Sequence, residues 1–422
     1  MRIVKKFLGL GVVVSINLLL QFLFQWYLIV YFGAGTQSDI FFGSMAMPQF
    51  ILLVLSGSLT MVLIPMISKF EGASFLKESW NYFQGIGLLF ATLALLLCIT
   101  AGWWVQWILP GFKGENYNLA VDLTRIQLLS MFFSSLLGFL WVVHSAKEKF
   151  YLIETTSIIA NVLAFGVFYF TLDLFGIYAA AWVTVLKVLL QILLLMSVLG
   201  PYQKPYFRSE SFKITWKKIR PLLAGNLYYK TDTLVDRNLT SSGSSGELTL
   251  LALAQQIYSI GASIISKVFI NTLIPSLSVK ARDKDFNQLH QLYKKRFWLV
   301  FLISVFCFLL IVSAGKPILS LIFGFKNFTA DSIDTLWNLL IFLFGLWFAG
   351  LLGNLTTGTF YAKGDTVTPT RIGVILFTLY IPVKIYFFKK FGISALAISI
   401  SIYMLLNLVL QMIYLERKKN FE

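Results

Sequence analysis

The chain has 422 residues, of which 58% are hydrophobic, 16% aromatic and only 13% charged, with a formal net charge of +16. A soluble protein carries roughly twice that charged fraction, so the composition excludes a soluble enzyme and places the chain in a membrane. Nor does the positive charge mark a nucleic-acid binder, because the Lys and Arg residues gather in alternate loops between apolar runs.

Twelve apolar runs reach the roughly 20 residues that a membrane-spanning helix needs. They lie at 7–31, 40–68, 82–108, 121–144, 151–171, 175–199, 216–240, 247–279, 295–323, 332–361, 367–388 and 391–415. The first follows Arg2, Lys5 and Lys6, as in a signal peptide. It is too long for one and no small-residue cleavage site follows, so a retained helix is expected. The loops expected outside hold few basic residues: Lys113, Lys316, Lys326, Lys389 and Lys390. By the positive-inside rule both termini are then cytoplasmic. The basic stretches 204–220 and 280–296 would face anionic lipid headgroups.

Within the spans, Cys98 and Cys307 read as small buried hydrophobes. Arg125 and Lys384 lie toward span ends and are expected to snorkel to the interface. Lys187 lies deeper, where a paired and a cavity-facing role are equally open.

The polar stretch from Gly200 to Arg220 separates six spans from six. It divides the chain into a six-helix lobe at 1–203, a basic cytoplasmic linker at 204–219 and a second six-helix lobe at 220–422. The halves echo one another. Leu63-Ile64-Pro65-Met66-Ile67-Ser68 returns as Leu273-Ile274-Pro275-Ser276-Leu277-Ser278, and Gly111-Phe112-Lys113 returns as Gly324-Phe325-Lys326. An even number of spans per half makes the repeats parallel, as in transporters with a central site that opens to alternate sides. The fold expected is all-α, with two parallel six-helix lobes around a cavity.

The seventh span carries the densest chemistry: Asn226, Lys230, Asp232, Asp236 and Arg237. Ionisable groups in a span are costly and mark function by default. At 100° per residue, Asn226, Lys230, Thr233 and Arg237 share one helix face, and Asp232 and Asp236 share another. The basic face suits an anionic head group, and the acidic face suits a cation or a partner on a neighbouring helix. Lys267 in the eighth span is a further cavity candidate. The chain has no P-loop, no G-x-S-x-G elbow and no H-E-x-x-H. Energy must then come from an ion gradient, the membrane potential or the substrate's own gradient.

Phe32-Gly33-Ala34-Gly35, Asp39, Phe41-Phe42, Pro48 and Ile64-Pro65 resemble the opening of the MurJ/MviN lipid II flippases of the multidrug/oligosaccharidyl-lipid/polysaccharide exporter superfamily. Leu123-Thr124-Arg125, Val235-Asp236-Arg237, Leu273–Ser278, Phe360-Tyr361-Ala362, Asp365-Thr366 and Thr368-Pro369 extend the resemblance along nearly the whole chain. It implies alternating access and no enzymatic activity. The implied work is transfer of an undecaprenyl-linked saccharide across a bacterial cytoplasmic membrane. The implied partners are the lipid-linked oligosaccharide, membrane lipids and envelope glycan synthesis enzymes.

Lipid II flippases carry cavity arginines at positions that align here with Leu18, Phe24, Leu52 and Gln256, all uncharged. They usually have two spans more than the twelve counted here. An O-antigen, capsule or exopolysaccharide unit is therefore the first expectation, with lipid II proper as the alternative and a cation-coupled small-molecule exporter as a third reading. The expected cavity residues are Lys230, Arg237, Lys267, Asn226 and Gln256. Asp39, Asp236 and Asp232 are expected to gate or to couple an ion, and the resemblance makes Asp236 a sodium candidate. No other cofactor is expected beyond sodium or proton coupling.

Overall fold

The computed structural model describes residues 2–206, 215, 227–228, 230–270, 273–365 and 367–419, and these are mostly helical, with no strand among them. This is what a bilayer demands, because a helix satisfies its own backbone hydrogen bonds where no water is present. Among the described residues, eight helices are long and apolar enough to cross a membrane. A ninth is formed if the helix pair Ala330–Phe342 and Phe344–Ala362, bent by 43°, counts as one span.

Residues 1–242 form one compact unit. It contains α1 (Arg2–Phe32), α2 (Thr36–Ser44), α3 (Ala46–Ile67), α4 (Gly72–Ile99), α5 (Ala101–Ile108), α6 (Glu115–Ala146), α7 (Phe150–Phe175), α8 (Ile177–Leu195) and α9 (Asp232–Ser241). Helix α6 is central and packs against α2, α3, α4, α5 and α8. The expected second span is broken at Met45 into α2 and α3. Pro48, in the first turn of α3, has no N–H to return to Ser44, so the helix restarts there.

The expected third span likewise divides at Thr100 into α4 and α5. Of the expected linker 204–219, residues 204–206 and 215 are described. They lie along α4: the Tyr206 amide donates to Asn81 Oδ1 at 2.9 Å, and Tyr82 and Thr215 share a hydroxyl hydrogen bond of 2.7 Å.

A polar seam joins α1 to α7 inside this unit. Asn17 Oδ1 accepts from Asn161 Nδ2 at 2.8 Å, Ser157 Oγ at 3.0 Å and Gln21 Nε2 at 3.2 Å. Asn17 Nδ2 donates to Glu154 at 2.8 Å. A buried polar group left without its partner costs about 1–3 kcal/mol. Asn17→Leu strands several at once, so it is expected to destabilise the unit by about 3–5 kcal/mol. Thermal unfolding of the purified protein would show this as a large loss of Tm, and an unchanged Tm would show that the seam is dispensable.

Residues 243–422 form the second unit. Here α10 (Glu247–Ile265) runs into a π-helical turn, Ser266–Ile270, followed by α11 (Ile274–Arg282), α12 (Phe286–Phe323), α13 (Ala330–Phe342), α14 (Phe344–Ala362) and α15 (Val367–Lys419). One serine clamps the bend between α13 and α14. Ser401 Oγ donates to the Phe342 carbonyl at 2.6 Å and accepts from the Gly345 amide at 3.0 Å. The eleventh and twelfth expected spans run on as α15 and are separated only at Gly392, whose φ of 72° is open to glycine at little cost.

Lys384 corrects an expectation. It does not snorkel but is fully buried at 0% exposure. Phe377, Tyr380, Lys384 and Phe388 follow helical spacing and are all buried, so they form the inward stripe of α15. The ammonium lies 5.1 Å from the Tyr380 ring, which stacks on Tyr403 at 4.4 Å. Arg125 keeps a half-exposed position, paired with Asp122 at 3.4 Å.

Candidate charged site of the first unit

The turn between α1 and α2 fixes one carboxylate. Gly33 has φ 74°. Ser38 Oγ donates to the Gly33 carbonyl at 2.6 Å and accepts from the Gly35 amide at 3.0 Å. Ser38 is fully buried, so this clamp is shielded from water. Asp39 follows in the first turn of α2, where the positive end of the helix dipole favours a carboxylate. It is 3% exposed.

Helix α9 supplies the other charges. It packs against α2, α3 and α5. Asn238 Nδ2 donates to the Trp107 carbonyl at 2.7 Å, tying α9 to the end of α5. The loop after α5 presses just as closely: a Cβ on Gly111 would stand 1.6 Å from the Ser241 carbonyl oxygen. This seating buries Asp236, at 4% exposure, with Leu239 and Thr240, and leaves Thr233 exposed. Of the two helix faces expected for this span, only Asp236 on one and Thr233 on the other differ clearly in burial among the described residues. Arg237 is half-buried, and its guanidinium is within electrostatic reach of both Asp236 and Asp39.

The structure therefore gathers Asp39, Asp236 and Arg237, residues on two helices far apart in sequence. Asp232, the first residue of α9, and Lys230 just before it are half-buried. Asn226 lies outside the described residues. Gln256 is half-buried on α10, and the Lys267 backbone is in the π-helical turn of the second unit. The Lys267 side chain is outside the description. Among the described residues no three His, Cys, Asp or Glu gather as metal ligands.

Sequence reasoning passed over Asn17, Ser157 and Asn161, because uncharged polar residues in spans carry no strong signal. The one available cue is their number. Asn17, Gln21, Glu154, Ser157 and Asn161 are a dense polar set for two spans facing each other.

Residues 28–422 match the family model described as lipid II flippase MurJ. Among curated proteins the chain is similar to the probable lipid II flippase MurJ of Buchnera aphidicola subsp. Baizongia pistaciae. They are 22% identical over 97% of this chain and 83% of the relative. It is 27% identical to the probable lipid II flippase MurJ of Rickettsia prowazekii over 81% of this chain and 69% of the relative. Among solved structures, a lipid II flippase MurJ in an inward closed conformation superposes with a TM-score of 0.81 at 21% identity, covering 97% of this chain and 87% of that one. An inward-facing multidrug resistance MATE family transporter gives 0.75 at 16% identity, with 97% and 98% covered. These two superpositions show that the fold is shared.

Proposed function

Because the chain belongs to the MurJ lipid II flippase family, whose members are membrane transporters rather than enzymes, we propose that it carries lipid II across the bacterial cytoplasmic membrane. The family match runs over most of the chain. It outweighs the uncharged Leu18, Phe24, Leu52 and Gln256, which had favoured another lipid-linked glycan. The finer architecture proposed is twelve spans in two six-helix lobes, 1–203 and 220–422, with both termini cytoplasmic.

The observation behind the mechanism is that Arg237 is within electrostatic reach of two buried carboxylates, Asp39 and Asp236. At an effective dielectric constant of about 20, unit charges 4 Å apart attract by about 4 kcal/mol. A pyrophosphate entering beside Arg237 and Lys230 offers a comparable attraction. The head group takes the guanidinium from Asp39 and Asp236, and its departure returns it. Exchange between two near-equal partners lets the site bind and then release. Lys267, Gln256 and Asn226 are proposed as further substrate-binding residues. Asp39, Asp232 and Asp236 are the proposed gating or ion-coupling residues. The membrane potential, worth about 2.3 kcal/mol per charge per 100 mV, or an ion gradient drives the cycle. Envelope glycan synthesis enzymes are the proposed suppliers and users of the substrate.

The test is growth of a strain depleted of its own lipid II flippase. Expression of this chain is expected to restore it. No growth, with the protein shown to be inserted, would overturn the lipid II assignment and point to another lipid-linked glycan.

A further inference from the structure

Helices α7 and α8 are joined by Gly176 alone and pack along one another, and an open groove of about 600 Å³ lies along them. Buried Ala179 and Val183 form its floor, and exposed Phe175 and Trp182 stand at its rim. Thr171 lines it too, but turns its hydroxyl back to the Val167 carbonyl at 2.7 Å. Along α8 the groove runs from Tyr178 to Leu189. At 1.5 Å per residue this is about 16 Å, close to half of the roughly 30 Å hydrocarbon core of a bilayer. The groove therefore has the length of one leaflet, which suits an acyl chain and not a molecule that crosses the membrane.

The end of the groove nearest the turn is polar. The Tyr178 hydroxyl donates to Asp122 Oδ2 at 3.4 Å. The other oxygen of Asp122 accepts from Arg125 Nη1, also at 3.4 Å. The Asp122 and Arg125 side chains are 49% and 47% exposed. Both contacts are longer than a tight hydrogen bond. A carboxylate has about four lone-pair sites and a guanidinium five N–H donors, so binding capacity of both signs is left at the groove mouth. Arg125 suits a phosphate, which a guanidinium can meet with two parallel N–H groups. Asp122 suits a primary ammonium, which brings three donors. A purely anionic headgroup would meet Asp122 as a like charge, and a quaternary ammonium would bring it no donor.

We propose that this groove binds one zwitterionic aminophospholipid. An acyl chain lies along α8 between Tyr178 and Leu189, the phosphate meets Arg125 and the primary ammonium meets Asp122. Tyr178 joins the two parts, with its ring on the groove wall and its hydroxyl among the headgroup ligands, as amphipathic rings do at a membrane interface. With both termini cytoplasmic, the turn at Gly176 faces outside and the lipid comes from the outer leaflet. Only that choice of leaflet rests on the proposed topology, and the site itself is independent of the flippase reading.

The experiment follows thermal unfolding of the purified full chain in detergent against added dioleoyl phosphatidylethanolamine, phosphatidylcholine and phosphatidylglycerol. The ethanolamine lipid is expected to raise the Tm saturably, by roughly 2–4 °C more than either of the others. Exposed ion pairs contribute little to stability, so variants of Asp122 and Arg125 should fold. Arg125→Gln should lose the advantage of the ethanolamine lipid. Asp122→Asn removes both the partner of the ammonium and the like charge, so it should turn the preference toward phosphatidylglycerol. Equal response of the wild type to all three lipids, or an unchanged preference in both variants, would overturn the proposal. Displacement of the bound ethanolamine lipid by equimolar undecaprenyl phosphate would overturn it too, and would make the groove a seat for the substrate's tail. An ethanolamine preference in a protein that moves no lipid II in proteoliposomes would sink the flippase reading and leave the lipid site standing.

Discussion

Arg237→Met is expected to abolish growth rescue while the protein still inserts. Asp39 and Asp236 are 3% and 4% exposed, and the substitution removes the cation within electrostatic reach of both. Breaking a buried pair by deleting one partner costs about 3–5 kcal/mol, because the remaining charge stays desolvated. Here two carboxylates would be affected. The loss of transport is expected to exceed what lost stability explains. Neutralising all three groups, with Asp39→Asn, Asp236→Asn and Arg237→Met combined, should recover the Tm, because no unpaired charge is left. It should not recover transport, because the cation that meets the pyrophosphate is still missing. Transport at the wild-type rate by the triple variant would show that the cluster is only a structural ion pair.

Gly111→Val is expected to be the most damaging change in any loop. Even the first carbon of a side chain would stand 1.6 Å from the Ser241 carbonyl oxygen, 2.4 Å from its carbon and 2.9 Å from Ser242 Cα. All three are backbone atoms, so no rotamer change relieves the clash and α9 has to move. Overpacking usually costs 1–3 kcal/mol, and displacing a helix end is expected to cost at least about 3 kcal/mol. The Asn238–Trp107 hydrogen bond would break with it, taking Asp236 and Arg237 away from Asp39. A cysteine introduced at Thr233, which is exposed in the wild type, would report the movement through its rate of labelling. Normal transport and labelling in the Gly111→Val background would refute the close approach.

The helices themselves were legible, because a span of apolar residues has no other stable form in lipid. Where a span breaks was less legible. Pro48 announces the break at Met45, but the α13/α14 bend depends on Ser401, a residue from another helix. Hydropathy cannot see that contact. The charged span was visible for the same reason that the apolar ones were: Lys230, Asp232, Asp236 and Arg237 violate the pattern. That Arg237 would meet Asp39 was not visible, since the proximity follows from how α9 seats on α2, α3 and α5. Lys384 misled because its place near a span end fits snorkelling, whereas burial depends on the stripe it shares with Phe377, Tyr380 and Phe388. Phe24, where the family resemblance implies a cation in relatives, lines a small pocket together with Lys187.

Helix α9 follows the polar stretch Gly200–Arg220 in sequence, yet it packs in the unit formed by residues 1–242. This bears on how the chain is made. A span carrying Lys230, Asp232, Asp236 and Arg237 is a poor passenger for the insertion machinery, with each such residue costing about 2.5–3.5 kcal/mol at mid-bilayer. By the time it leaves the ribosome, α2, α3 and α5, on which it packs, have already been made. The helices on which α9 seats are therefore made before it, and the unit formed by residues 1–242 is complete only once α9 follows. A gene cut in the polar stretch would separate the two, and a cut after Ser242 would keep them together.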